Sequence, residues 1–321
     1  LKQILAIVVL LLSLLVIFGS NIIIKKNNNK KKEETVMMRL KDYSPNSDVI
    51  KIIEDYGSII PPNINNPRRI ALEDTLIKFA KDINKNYVKN AEDNLERWSK
   101  KEVIKGTGPY ILRVISSDWG DATLQSTKEF GTTFACLNMA NATVFGGGYV
   151  EGMAAQEENM FRRTNCHFCD HDLENPKIKC VKRNSEGHAI YNSNYTDIID
   201  GRSSDGMAYL DKERPRICIK GSEKNDYRDL DKTDIFPFYE LRSAAADLRR
   251  VGSDSFDEED CKRRIKSQIE VLKNKNISHV ILSAFGCGAF LNPPELVAKC
   301  YKEVLNEYEL KDWVIIFAIY Y

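Results

Sequence analysis

Five short apolar runs, set between stretches of helical periodicity, constrain the fold of this 321-residue chain most strongly. The runs are rich in β-branched residues and lie at 110–118, 134–141, 216–221, 279–285 and 313–321, so they are predicted to be buried strands. Helical spacing of apolar residues predicts helices over 68–83, 261–275 and 293–308. Strands that alternate with helices favour an α/β sandwich around a largely parallel sheet.

The first stretch of the chain has a different character. Residues 4–24 are almost uninterruptedly apolar and about as long as the roughly 20 residues that cross a bilayer. The run is longer than a signal-peptide core, so we expect an uncleaved transmembrane anchor, with a cleaved signal and secretion as the alternative. Lysines at 25, 26 and 30–32 follow it, which predicts a single-pass membrane protein whose folded part faces the cytosol.

These features divide the chain into three parts. Residues 1–24 are the hydrophobic anchor or signal segment, and 25–67 form a polar linker that begins with the low-complexity sequence KKNNNKKKEE. Residues 68–321 form the folded domain, with a long polar insert at about 165–215. The 47 basic residues nearly cancel the 46 acidic ones, so no direct nucleic-acid binding is expected.

Two glycine clusters follow two of the predicted strands. Gly146, Gly147 and Gly148 come after the run at 134–141, and the sequence GCGAF at 286–290 comes after the run at 279–285. Ligands of open α/β sheets bind beyond the carboxyl ends of strands, and bare amides there can hold phosphate oxygens. Two such loops indicate a diphosphate ligand, unless each cluster only makes a tight turn. Neither cluster fits the common nucleotide-binding fingerprints.

The first cluster begins a longer motif, GGG-x7-QEE, which ends in Gln156, Glu157 and Glu158 and is preceded by LNMAN. Together with SAFGCGAFLNPPELVA downstream, it closely resembles the catalytic signature and second loop of the microbial-type poly(ADP-ribose) glycohydrolases, which are macrodomains. The resemblance extends from about residue 68 to 321. It implies a three-layer α/β/α macrodomain with a mixed, largely parallel sheet that binds ADP-ribose.

The resemblance also implies a role for each motif residue. Glu158 is the expected catalytic acid and base, and Glu157 is the second catalytic residue, which hydrogen-bonds ribose hydroxyls. Cleavage of a glycosidic bond needs a proton on the departing oxygen and a deprotonated water, and one carboxyl group can supply both in turn. No cofactor is expected. The expected substrate-binding residues, around the diphosphate and the distal ribose, are Asn138, Gly146, Gly147, Gly148, Gln156, Gly286, Cys287, Gly288, Ala289 and Phe290.

The insert contains a C-x2-C pair, Cys166 and Cys169, with His167, His171 and Cys180 nearby. Zinc is conceivable there, but one such pair without a second is weak evidence, and we expect no metal site. The other cysteines are scattered through predicted core elements, which suits a reducing compartment.

Three functions remain open at this point. The leading one is hydrolysis of the ribose–ribose bonds of poly(ADP-ribose) with release of ADP-ribose. The second keeps the site but removes a single ADP-ribose from a protein side chain such as arginine. The third is a reader that binds ADP-ribose without turnover, although two carboxylates close to a diphosphate disfavour it. The expected partner is accordingly ADP-ribose, poly(ADP-ribose) or an ADP-ribosylated protein.

Overall fold

The computed structural model describes residues 23–25, 67–82, 84–100, 110–144, 146–170, 182–183, 189–190 and 208–320. Most of the predicted linker and much of the predicted insert therefore lie outside the described residues. Those described form one large sheet of eight strands, with helices packed against both of its faces.

The sheet is mixed and mainly parallel, as the sequence predicts. The described strands are β1 (Ile23–Lys25), β2 (Tyr110–Ser116), β3 (Ala135–Met139), β4 (Lys182–Arg183), β5 (Ala189–Ile190), β6 (Ala208–Leu210), β7 (Arg216–Cys218), β8 (Phe236–Ser243), β9 (His279–Leu282) and β10 (Trp313–Ile319). Strands β4 and β5 form a separate two-stranded ribbon, and the other eight form the main sheet. The order is β1-β2-β10-β9-β3-β8-β6, and β7 also pairs with β8. Pairing is parallel from β1 through β8, whereas β6 and β7 run antiparallel to β8.

Six described helices make two outer layers. They are α1 (Pro67–Lys81), α2 (Asn86–Ser99), α3 (Trp119–Phe130), α4 (Gln156–Arg163), α5 (Glu258–Asn274) and α6 (Pro294–Asn306). Alternate residues of β10 belong to opposite layers: Val314 and Ile316 pack with α1 to α4, whereas Ile315 and Phe317 pack with α5 and α6. Because successive side chains of a strand point to opposite faces, the sheet is covered by helices on both sides.

The strands and helices predicted from apolar patterns are present, but several elements were not predicted, among them α2, α3 and β8. Helix α2 has few apolar residues, and α3 begins at a cap in which Asp118 accepts hydrogen bonds from the amides of Gly120 and Asp121. Strand β8 carries Glu240 and Arg242, which are both buried. Charged residues inside a central strand hide the apolar alternation by which such a strand is found.

Two boundaries differ from those expected. Ile23 and Ile24, counted as the end of the hydrophobic segment, lie in β1 beside β2, and the rest of that segment is outside the described residues. No helix within the described ranges is long and apolar enough to cross a membrane. Strand β6 falls inside the predicted insert, so the chain has returned to the main sheet by Ala208.

The cysteine motif of the insert is only partly described. Cys166 is buried in the core, whereas the side chain of Cys169 and the residues His171 and Cys180 lie outside the described part. No cluster of three metal-ligating side chains occurs among the residues that the structure does describe. The expectation about zinc therefore stays a prediction.

Candidate active site

Three loops meet at one edge of the sheet. Strands β9, β3 and β8 are neighbours and parallel, so the segments that follow them leave the sheet side by side. The amide of Ala140 donates to the Ser243 carbonyl at 3.0 Å, and the amide of Leu248 donates to the Phe290 carbonyl at 3.0 Å. The glycine triplet, the GCGAF loop and the segment after β8 therefore form one site.

Gln156 attaches the start of α4 to the end of β3. Its Oε1 accepts from the Met139 amide at 2.9 Å, and its Nε2 donates to the Leu137 carbonyl at 2.8 Å. Both ends of the side-chain amide bind strand backbone. Gln156 therefore fixes the position of the helix that carries the acidic pair, and its expected contact with substrate stays a prediction.

The glycine triplet holds the two carboxylates. The Gly146 amide donates to Oε1 of Glu157 at 3.1 Å, and the Gly148 amide donates to Oε1 of Glu158 at 3.0 Å. The Gly147 amide donates to the Val144 carbonyl at 3.0 Å. The amides that were expected to bind phosphate oxygens are thus engaged by the protein itself, since the carboxylates lie within hydrogen-bonding distance of the loop.

Close packing explains why this loop is made of glycine. Gly146 and Gly147 adopt φ values of 76° and 55°, in the left-handed region that side chains disfavour. A Cβ atom on Gly147 would overlap Oε1 of Glu158, and one on Gly146 would lie 2.6 Å from the ring of Tyr149. The acidic side chains need bare backbone beside them.

Glu157 is buried and receives three hydrogen bonds. Besides Gly146, the Asn141 amide donates to its Oε2 at 2.7 Å and Arg242 Nη2 donates to its Oε1 at 2.9 Å. Burial raises the pKa of Glu157 to about 8, because its effect exceeds the lowering by Arg242, and the Glu158 charge adds to the rise. Glu157 is therefore held in place and gives up its proton reluctantly.

A buried charge network supports Glu157 from β8. Glu240 accepts from Arg242 at 2.7 Å, from Asn138 at 2.7 Å and from Arg216 at 2.9 Å. Burial alone would raise the pKa of Glu240, but the two arginines together lower it below its ordinary value. Asn138 was expected to touch substrate. It is instead fully buried in this network. The network itself is not predicted by the sequence.

One carboxylate oxygen of Glu158 is hydrogen-bonded and the other is not. Its Oε1 accepts from Gly148, whereas its buried Oε2 has no hydrogen-bond partner among the described residues. Buried carboxylate oxygens normally have such a partner. The unsatisfied oxygen next to the converging loops is the group best placed to exchange a proton with a bound molecule.

The second loop differs from the first in its backbone. Gly286 has a φ of 74°, and the Asn292 side chain donates to its carbonyl at 3.1 Å and to that of Ala246 at 2.8 Å. In contrast with the triplet, the amides at 288, 289 and 290 donate to no acceptor within the described residues. Burial raises the pKa of Cys287 to about 12, so this loop residue stays a neutral thiol.

Sequence comparison agrees with this arrangement. Residues 62–195 match the family model for the microbial-type PARG catalytic domain, where PARG is poly(ADP-ribose) glycohydrolase. Over these residues the chain is similar to the microbial-type PARGs. The match contains the glycine triplet and α4, and the matched model, which is that of a catalytic domain, indicates that the chain is an enzyme. A search of curated proteins gives no match.

A solved bacterial PARG shares the fold. The PARG of Thermomonospora curvata is 17% identical, covers 78% of this chain and 92% of its own, and superposes with a TM-score of 0.57. The same protein bound to the inhibitor ADP-HPD is 18% identical, with coverage of 78% and 92% and a TM-score of 0.56. Deinococcus radiodurans PARG in complex with ADP-ribose is 20% identical, with coverage of 73% and 85% and a TM-score of 0.49.

Proposed function

We propose that this chain hydrolyses the O-glycosidic ribose–ribose bonds of poly(ADP-ribose) and releases ADP-ribose. The observation that carries the proposal is the acidic pair of α4 beside the glycine loop. One oxygen of Glu158 is hydrogen-bonded to the Gly148 amide, and the other has no hydrogen-bond partner among the described residues. The match of residues 62–195 to the microbial-type PARG catalytic domain supports it, as does the shared fold of a bacterial PARG that binds the inhibitor ADP-HPD.

Glu158 acts twice in the proposed reaction. Protonated Oε2 first gives its proton to the departing ribose oxygen, so that the bond to the anomeric carbon breaks with an oxocarbenium-like centre. The resulting carboxylate then takes a proton from the water that attacks this centre. Oε1 stays on the Gly148 amide throughout, which keeps the reacting oxygen in one position.

Glu157 positions the ribose. A carboxylate has about four sites for hydrogen bonds, and the protein fills three of those on Glu157. The remaining site suits a ribose hydroxyl, which can donate to an ionised Glu157 or accept from a neutral one.

The second loop binds the diphosphate in this proposal. Its amides at 288, 289 and 290 are without acceptors in the described structure, and Gly288 and Ala289 are exposed. Clustered backbone amides stabilise phosphate oxygens. The glycine triplet, whose own amides are engaged, then shapes the site and holds the carboxylates. Cys287 and Phe290 line the loop without supplying charge.

Product analysis distinguishes the candidate functions. Purified protein is incubated separately with poly(ADP-ribose) and with a protein mono-ADP-ribosylated on arginine, and free ADP-ribose is quantified. Release from the polymer is the expected result. Release from the mono-modified protein alone would favour the second function, and tight ADP-ribose binding without release from either substrate would favour a reader.

We further propose that the chain is anchored in a membrane with its catalytic domain in the cytosol. The support is the apolar segment and the lysines after it; if β1 takes the last two residues, 4–22 still fall within the roughly 17 to 25 residues of a spanning helix. A glycan on Asn141, which heads an N-x-T triplet, would obstruct the glycine loop. Carbonate extraction with protease protection tests this, and a soluble, glycosylated, protected product would overturn it.

A further inference from the structure

Helix α4 contains a buried cation that the proposed chemistry does not yet use. Arg162 is fully buried, yet it forms no ion pair within the described residues. Its Nη2 donates to the Met153 carbonyl, whereas Nε and Nη1 have no hydrogen-bond partner among the residues described. Leaving a charged group buried without a counter-charge is costly, so the position of Arg162 needs an explanation.

The next residue shows how this fold neutralises such a group. Arg163 is equally buried, and its Nη1 donates to both carboxylate oxygens of Asp118 at 2.8 Å. Its guanidinium also lies 4.7 Å from the centre of the Trp119 ring. The charge of Arg163 is therefore neutralised by Asp118, and a substitution of Arg163 is a matched control for a substitution of Arg162.

The carboxylate nearest to Arg162 along the helix belongs to Glu158. The two residues are four apart, so they share one face of α4, and long helical side chains lean toward the N-terminus. Burial lowers the pKa of Arg162, while the Tyr227 phenol and the Glu158 carboxylate raise it. Glu158 in turn has a buried oxygen without a hydrogen-bond partner among the described residues, so the two groups interact by charge across one helical turn and not by a direct hydrogen bond.

We propose that Arg162 is the positioning residue for Glu158, a fixed counter-charge that stabilises the carboxylate formed when Glu158 gives its proton to the leaving oxygen. This inference rests on the proposed function of the site. Negative charge develops on Glu158 only as the proton departs, so a buried cation one turn away stabilises the transition state more than the ground state. Removing the cation should therefore lower the rate of bond cleavage more than the binding of substrate.

The same cation affects the pH dependence of turnover. Among the described residues, the charged or titratable groups that act on this pair include Arg68 on α1, Glu157 on α4, and Tyr227, whose phenol donates to Glu223 after β7; Arg242 on β8 contacts Glu157. A substitution at 162 leaves all of these in place. Removal of one buried positive charge changes the electrostatic potential at the site, so the pH–rate profile of turnover should shift.

The test compares Arg162→Gln, Arg162→Lys and Arg163→Lys with the wild type in single-turnover release of ADP-ribose from poly(ADP-ribose) across pH. For Arg162→Gln we expect a rate about 100-fold lower and a shifted pH–rate profile, with ADP-ribose affinity within a few-fold of wild type. Arg162→Lys keeps the charge and should recover most of both effects. Arg163→Lys should lower the unfolding temperature but leave the rate per folded molecule and the pH profile unchanged.

Three results separate failure of this inference from failure of the proposed function. A wild type that releases no ADP-ribose contradicts the function itself, and with it the inference. An active wild type whose folded Arg162→Gln variant keeps the rate and the pH profile overturns the inference alone. A loss of rate that Arg162→Lys does not recover, without any shift in pH profile, would also overturn it, because it would assign Arg162 only the task of holding the Met153 carbonyl. Thermal unfolding of each variant shows which fraction is folded.

Discussion

The backbone amide of Gly148 donates to Oε1 of Glu158 at 3.0 Å, and this single contact joins the glycine motif to the acidic motif. Ten residues separate the two in sequence. The bond holds one oxygen of the carboxyl group and leaves the other, buried and without a partner in the described structure, for chemistry. The spacing of the motif therefore places a bare loop against the side chain that it presents.

The first prediction concerns Gly147. A Cβ at this position overlaps the Glu158 carboxylate, and the φ of 55° disfavours any side chain, so Gly147→Ala should displace Glu158. We expect turnover to fall by at least about 100-fold, with a smaller change in ADP-ribose affinity. Gly221→Ala is the control, since its new Cβ would meet only ordinary contacts, the nearest at 3.5 Å. Equal turnover in the two folded variants would contradict the role of the loop.

The second prediction separates the two glycine loops. Nothing lies within 4 Å of a Cβ on Gly288, so Gly288→Val should fold normally while it fills the space that the diphosphate needs. ADP-ribose affinity measured by calorimetry should fall at least about tenfold. Undiminished affinity in the folded variant would remove the diphosphate from this loop.

The third prediction concerns the buried network on β8. Glu240→Gln leaves Arg216 and Arg242 buried without their shared carboxylate, and breaking such a pair costs about 3 to 5 kcal/mol. Chemical denaturation should show this loss. Asp247→Asn removes the carboxylate of the exposed pair with Arg249 and should change the free energy of unfolding by less than about 1 kcal/mol. Similar losses in both variants would argue against a structural role for Glu240.

The fourth prediction follows from the pKa of Glu157, raised by burial from the ordinary 4.5 to about 8. Between these pH values the folded state keeps a proton that the unfolded state has lost. This group therefore makes the free energy of unfolding fall as pH rises through that window, by up to about 1.4 kcal/mol per pH unit. Denaturation of wild type and Glu157→Gln from pH 5 to 8 checks the sign. A variant with the same slope as wild type would show that Glu157 is ionised throughout.

The sequence predicts those parts of the fold that depend on apolar periodicity. Strand β10 is apolar at every position, and α6 starts at prolines, so both are visible in the pattern. Strand β8 was missed because Glu240 and Arg242 interrupt its apolar residues. Those two charges are stable inside the protein only because partners from other elements, such as Arg216 and Glu157, are brought to them by folding.

The site shows the same division. The spacing of glycines and acids predicts that the two motifs cooperate, and the structure joins them. What the spacing does not contain is the direction of each hydrogen bond: the triplet amides bind carboxylates, and Gln156 and Asn138 bind protein groups. Arg162 and Arg242 have no motif of their own. Their importance follows from burial, which is a property of the folded chain.

Single-turnover release of ADP-ribose from poly(ADP-ribose) by wild type and Glu158→Gln, alongside their affinities for free ADP-ribose, tests the central claim most directly. Glutamine keeps the size and the hydrogen bond to Gly148 but can neither give nor take the reacting proton. We expect the rate to fall about 100- to 10,000-fold, with affinity equal or higher because a negative charge is lost, and a smaller fall in rate for Glu157→Gln. A folded Glu158→Gln variant that releases ADP-ribose at the wild-type rate would contradict the account.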